Sequence, residues 1–300
     1  MLKPLTIVWD FDPVIFSIGD FEIRYYSLMW AAALLVGGWL FAYFCKQEKL
    51  STSYADTAFI YIALGTMIGA RLGHCLFYEP DYYLAKPWAI ITELRNGGLA
   101  SHGATIGIIT AILLWCHKYK MPRVWMLDRL AIIAPLSGAL IRFGNLFNSE
   151  IIGNATDVAW GFKFVRLYPA GTPIELMQAC HPTQLYEALC YLTTFAILFL
   201  LYRYSRTHYR RGVLFGLAMI GIFFTRFIIE FIKVDQVEFE SGMTFNMGQW
   251  LSVPFILLGI GFICYGLLHK PAGDVVDTEN KPVGATKQQM PKSTKRFKKR

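Results

Sequence analysis

Ser137-Gly138-Ala139-Leu140-Ile141-Arg142-Phe143-Gly144-Asn145-Leu146-Phe147-Asn148-Ser149-Glu150-Ile151-Ile152-Gly153 puts an arginine, two asparagines and a carboxylate at the end of an otherwise apolar run. At helical spacing Gly138, Arg142, Asn145 and Ser149 fall on one face, and Gly153-Asn154 offers a helix-ending turn. The glycines leave room for another backbone or a lipid head group. A capped helix carrying one arginine that snorkels to water is the plainer account. Against it, an ionisable group inside a membrane segment costs enough that a functional role is the default.

Outward from that stretch, 55% of the 300 residues are hydrophobic, 16% aromatic and only 17% charged, which is too apolar for a soluble domain. Apolar runs of membrane-crossing length lie at roughly 25–45, 56–78, 99–117, 129–148, 183–202, 213–233 and 247–268. The expected fold is therefore an all-α polytopic membrane protein with seven transmembrane helices. The formal net charge of +8 does not point to nucleic acid, because the basic residues sit in short runs between apolar segments and in the tail. Membrane lipids are the expected partner.

Seven spans put the termini on opposite sides. With the N-terminus outside, the inner loops and tail hold nineteen lysines and arginines and the outer segments five: Lys3, Lys86, Arg95, Lys163 and Arg166. The positive-inside rule then selects N-out and C-in. Of the outer segments, 79–98 is aromatic and interrupted by proline, as expected of an arm at head-group level. Residues 149–182 contain a β-rich stretch, Trp160 to Tyr168, followed by a proline-glycine turn, and predict a small mixed head insert. Residues 1–270 thus form the membrane domain, and 271–300 a disordered, basic, cytoplasmic tail. Prolines and acids interrupt the N-terminus, so no cleaved signal is expected. The six cysteines have neither CxxC nor metal-ligand spacing; Cys180 is the expected exposed thiol, and no metal or cofactor is implied. Gly65, Gly69 and Gly73 in the second run, and Gly103 and Gly107 in the third, have the four-residue spacing of close helix packing in lipid. Gly103 directly follows His102 and is read instead as part of a site.

In this topology polar residues gather toward the outer side: Arg24 and Tyr26, Arg71 and His74, His102, Arg142 and Glu150, His181 to Glu187, and Arg226 with Glu230. Arg226 and Glu230 are one turn apart and can satisfy each other. Arg142 has Glu150 two turns away and uses it less easily. Two guanidiniums suit a phosphate, which they bind bidentately, and His102 can exchange a proton near neutral pH.

The opening stretch closely resembles the signature of the prolipoprotein diacylglyceryl transferase family, glycine-arginine-x-glycine-asparagine-x-x-asparagine-x-glutamate-x-x-glycine, with Ile141 at the first glycine. The resemblance extends in order to Arg24–Met29, Ala70–Gly73, Gly97–Gly103, His181–Glu187 and Arg226–Phe231, covering about residues 20–270. It implies a bacterial inner-membrane transferase that moves the diacylglyceryl group of phosphatidylglycerol to the lipobox cysteine of prolipoprotein signal peptides, forming a thioether and releasing glycerol phosphate. His102 is then the candidate base for the thiol, and Arg142 and Arg226 the clamp on the leaving phosphate. Asn145, Asn148 and Glu150 orient Arg142 and the head group, Gly153 forms the turn behind them, and Tyr26 supplies a hydroxyl. Many members carry a tyrosine where this chain has Ile222 and an arginine where it has Lys233. A transporter or receptor that binds an anionic lipid without chemistry is the competing class, but it should show internal repeats and none is visible. A retinal protein would need a lysine in the seventh run, and there is none.

Overall fold

The computed structural model describes residues 6–19, 21–93, 98, 100–205, 210–234 and 243–272; the expected tail falls almost entirely outside them. The chain is mostly helical. In order, its helices are α1 (Tyr25–Gln47), α2 (Ser53–Phe77), the short α3 (Pro80–Ala85) and α4 (Ala89–Thr92), α5 (Ser101–Lys118), α6 (Arg123–Phe147), α7 (Thr183–Tyr204), α8 (Val213–Ile229) and α9 (Met247–Leu268). Six of these are long and apolar enough to cross a membrane: α1, α2, α6, α7, α9, and α8 with the 3-10 turn that extends it to Ile232. The expected third span is the helix α5, but His102, His117 and Lys118 at its ends dilute its apolar stretch, and it does not join the six on length and composition alone.

Helix α6 is central, packing against α1, α7 and α8. It begins at Arg123, so Arg123 and Arg129 belong to the helix rather than to the preceding loop. The pair α2 and α5 is zipped by glycine. A Cβ on Gly73 would lie 2.6 Å from the Cα of Gly103, and one on Gly65 2.7 Å from the carbonyl of Gly107. Gly103 is thus required by packing. Helices α8 and α9 meet in the same way, through Gly216 and Gly259.

The expected arm contains α3 and α4, and Arg71 ties it down. This buried guanidinium donates to the carbonyls of Ile90 (2.9 Å), Ala89 (3.2 Å) and Gly98 (3.4 Å) and to the Tyr83 hydroxyl (3.3 Å). Arg71 is therefore structural, while Leu84, Trp88 and Ile91 of the arm are exposed. The β-rich stretch at 160–168 yields only the three-residue strand Phe162–Phe164. It pairs in parallel with β1 (Ile7–Trp9) of the N-terminal segment, and β2 (Val14–Ile18) and β3 (Phe21–Arg24) form a separate hairpin. Residues 149–182 are thus completed by the N-terminus rather than closed as an insert of their own. Trp9 joins this layer to the bundle, donating its indole N–H to the carbonyl of Leu146 (3.1 Å) and packing on Phe147 and Phe162.

Candidate functional site

Helix α6 ends at Phe147, one turn before the expected stop. The Ser149 amide donates to Leu146 (3.0 Å) and the Glu150 amide to Asn145 (3.0 Å), closing the carbonyl end with a serine in the left-handed position usually held by glycine. Ser149 has φ 56° and Ile151 φ 58°. A β-branched residue there is a true outlier, and strain of this kind persists only where the surroundings hold it. Gly153 does not end the helix. Its amide donates to His181 (2.9 Å), and a Cβ on it would come within 2.7 Å of His181, Thr183 and the Ile232 carbonyl. Only glycine lets the loop after α6 pass between the start of α7 and the end of α8. That passage turns Glu150 back over the helix end, where it accepts from Asn145 (3.3 Å) and Asn148 (3.1 Å).

Arg142 donates to the Asn145 amide oxygen (3.1 Å), but its carboxylate partner is Glu187 of α7, at 2.5 Å, and not Glu150. Glu187, completely buried, also takes the ammonium of Lys233 at 2.8 Å; Lys233 reaches on to Glu230 at 3.0 Å. Arg226 stands 4.0 Å from Glu230, so the expected Arg226–Glu230 pair is only a loose one. Tyr191 lies beside Arg142 and within electrostatic reach of Arg226. Ile222 packs in the small apolar cluster of Ala139, Ala188 and Tyr191. Tyr26 rests on Gly144, where a Cβ would meet its ring at 2.8 Å, so α1 brings it to the same end of α6.

The hydrogen-bond account of this cluster is incomplete. Among the described residues, the buried side-chain polar atoms without a hydrogen-bond partner are Asn148 Oδ1, Ser149 Oγ, Gln184 Oε1, Glu187 Oε2 and Arg226 Nε, and all five lie here. The Arg142–Glu187 contact is thus a charge pair without hydrogen-bond alignment. Buried polar groups are nearly always satisfied, so such a concentration singles this cluster out as the candidate site.

Sequence reasoning therefore brought Tyr26, Arg142, Asn145, Asn148, Glu150, Gly153 and Arg226 to one region. It missed Glu187 and Tyr191 as partners of Arg142, and it read Lys233 only as a departure from a pattern. The signal for Glu187 was a carboxylate one turn into an apolar run. His102 is exposed at the start of α5 and makes no side-chain hydrogen bond, ion pair or ring contact among the described residues. No contact joins it to either arginine. Arg24 pairs with Glu22 at the surface (2.7 Å), and His74 stacks on Tyr78 beside Glu79. Cys180 is half-buried, and burial pushes its thiol pKa up, while Cys264 on α9 is the exposed cysteine.

Fold and site together define a polytopic membrane enzyme built around a charged cluster at one end of its helices. Residues 13–265 match the family described as prolipoprotein diacylglyceryl transferase. The chain is 45% identical over 272 residues to the phosphatidylglycerol–prolipoprotein diacylglyceryl transferase of Porphyromonas gingivalis, covering 88% of this chain and 95% of that one. It is 40% identical over 272 residues to the Bacteroides fragilis enzyme of that name, with 87% and 95% covered, and 42% identical over 255 residues to that of Tolumonas auensis, with 85% and 95% covered. The chain belongs to the prolipoprotein diacylglyceryl transferase family and is a transferase.

Proposed function

We propose that the protein moves the diacylglyceryl group of phosphatidylglycerol to the lipobox cysteine of prolipoprotein signal peptides, the first step of bacterial lipoprotein maturation. The observation that carries this reading is the gathering of unsatisfied buried polar atoms around two arginines on neighbouring helices. The cysteine thiolate attacks the glyceryl carbon, a carbon–sulfur bond forms, and the carbon–oxygen bond to phosphate breaks with its electron pair leaving on glycerol phosphate. Arg142 and Arg226 offer guanidinium N–H groups to that phosphate as charge develops on the departing oxygen. Asn145, Asn148 and Glu150 hold Arg142 and the head-group hydroxyls, Gly153 lets their loop pass, and Tyr26 supplies a hydroxyl. His102 accepts the thiol proton; its exposed position at the start of α5 supports that role. An apolar cavity of about 340 Å³ between α1, α2 and α6, reaching Gly138 and Ile141, offers space beside Arg142 for an acyl chain.

The protein sits in the bacterial inner membrane with α5 as a seventh span, its N-terminus outside and its C-terminus in the cytoplasm. Residues 1–270 form one membrane domain with an interfacial arm at 79–98 and a periplasmic head at 149–182, and 271–300 are a cytoplasmic tail. The charge distribution supports this orientation. Purified protein incubated with phosphatidylglycerol vesicles and a lipobox peptide should raise the peptide mass by one diacylglyceryl group and release glycerol phosphate, and a peptide with serine for cysteine should stay unchanged. Head-group binding without any mass gain would sink the transferase reading of this site.

A further inference from the structure

We propose that Glu187 and Lys233 are positioning residues, the middle of a buried relay of alternating charge, Arg142–Glu187–Lys233–Glu230–Arg226, that sets the relative placement of the two arginines. The inference rests on the head-group reading above and adds to it what holds the two guanidiniums in register. The links run 2.5, 2.8 and 3.0 Å from Arg142 to Glu230, with Arg226 loosely attached at 4.0 Å. Arg142 comes from α6, Glu187 from α7, Glu230 and Lys233 from the turn that closes α8, and Arg226 from α8 itself.

Several observations make the middle of the relay a support and not a second clamp. Lys233 is 5% exposed, and its ammonium is shared between two carboxylates, so its charge is turned inward. A lysine ammonium serves both carboxylates as a compact point charge with three donors. Its backbone is bridged to Gly153, and the neighbouring Ile232 carbonyl receives the Asn154 amide (2.8 Å), so the strained loop carrying Glu150 is fastened to the same place. Glu230 is walled in by α9, where a Cβ on Gly248 would come within 2.5 Å of its carboxyl group. The first turn of that 22-residue helix favours a negative charge. Each buried charge thus has an opposite neighbour, which low-dielectric surroundings demand, and the unmet hydrogen-bond capacity within the relay lies at Arg226 Nε and at the Glu187 oxygen turned to Arg142.

The relay predicts opposite kinetic signatures for its two middle members. Glu187→Gln removes a negative charge and the tether of Arg142. It should lower kcat about tenfold or more, leave KM for phosphatidylglycerol unchanged or lower, and tighten inhibition by glycerol phosphate. Lys233→Met leaves two carboxylates facing each other and drawing on the arginines, and should raise KM about tenfold. The double variant, with charge balance restored, should be more active than the product of the two single losses, and Lys233→Arg should recover most of what Lys233→Met loses. The assay uses the full chain in phosphatidylglycerol nanodiscs with a lipobox peptide, with thermal midpoints taken on the same samples. Should Lys233→Met not yield folded protein, Lys233→Gln makes the same charge change. Parental kcat and KM in folded single variants, or equal losses in one direction with no recovery in the double variant, would overturn the relay while leaving the function intact. A parent enzyme that forms no thioether would instead overturn the functional reading, and this inference with it.

Discussion

The two ends of α6 carry almost the same ingredients and treat them in opposite ways. At the end near its start, Arg129 is gripped by Glu48 through Nε (2.9 Å) and a terminal nitrogen (2.7 Å), and the same carboxylate accepts from Trp125 (2.6 Å) and Tyr202 (2.9 Å). Asp128 beside it accepts the amides of Gly212 (2.8 Å) and Phe215 (2.9 Å), capping α8. Among the described residues no buried side-chain polar atom at this end lacks a partner. At the far end, Arg142 has one amide and one unaligned carboxylate, Arg226 a carboxylate at the limit of contact, and the unpartnered atoms collect around them. A buried ion pair with all its hydrogen bonds made serves the fold, whereas one left partly unmade holds capacity for a ligand.

That contrast can be broken most severely at the closed end. Arg129→Met leaves the partly buried Glu48 without its cation and should cost about 3 kcal/mol of stability, read as a large drop in thermal midpoint or in the yield of folded protein. Activity per folded molecule should hold. A folded Arg129→Met enzyme that had lost its turnover would erase the distinction between the two ends.

At the open end the expected effect moves from stability to rate. Arg142→Ala and Arg226→Ala should each lower turnover on phosphatidylglycerol by about 30- to 1,000-fold, since a lost phosphate contact in a water-poor site is worth roughly 2–4 kcal/mol. Thermal midpoints should fall far less than for Arg129→Met. Near-parental rates in both purified variants would remove the clamp.

Hydroxyls sharpen the comparison on a smaller scale. Tyr202 at the closed end is committed to Glu48, while at the open end the Tyr191 hydroxyl lies against Arg142 and Tyr26 packs on Gly144. Tyr191→Phe and Tyr26→Phe should each slow the reaction about three- to tenfold, in line with roughly 1 kcal/mol for a neutral hydrogen bond. If both variants run at the parental rate, the site works without these hydroxyls.

The mildest test concerns which side of the membrane each end faces. Cys180 belongs to the layer over the open end, so an impermeant thiol reagent should label it in intact cells. Because burial holds its thiol pKa above the ordinary value, the thiolate fraction at neutral pH is reduced and labelling should quicken as the pH is raised beyond the range of a free cysteine. Labelling that appears only after the inner face is opened would invert the orientation.

Much of the site was legible along α6 because helical spacing puts Arg142 and Asn145 on one face whatever surrounds them. The same rule failed at its end. Gly153 looked like the stop signal, but the chain turned at Ser149, a residue with no special tolerance for positive φ, since the bridges from Gly153 to His181 and Lys233 dictate where the loop must go. Glu150 was the nearer carboxylate in sequence and Glu187 the nearer in space. The β-rich run after Trp160 found only a short partner, Ile7–Trp9, lying far away in the chain.

The sequence by itself determined that the chain is built from long apolar helices, six of the seven expected runs being long and apolar enough to cross a membrane, and that Arg142 and Asn145 share a face, because each is a property of composition and of spacing along a single helix. Tertiary structure alone decided which charge meets which. It chose Glu187 for Arg142, made Lys233 a support between two carboxylates, gave Arg71 to the arm and left His102 apart. Those pairings depend on the rotation and close approach of neighbouring helices, and a residue's spacing within its own helix carries no information about the face presented by the next.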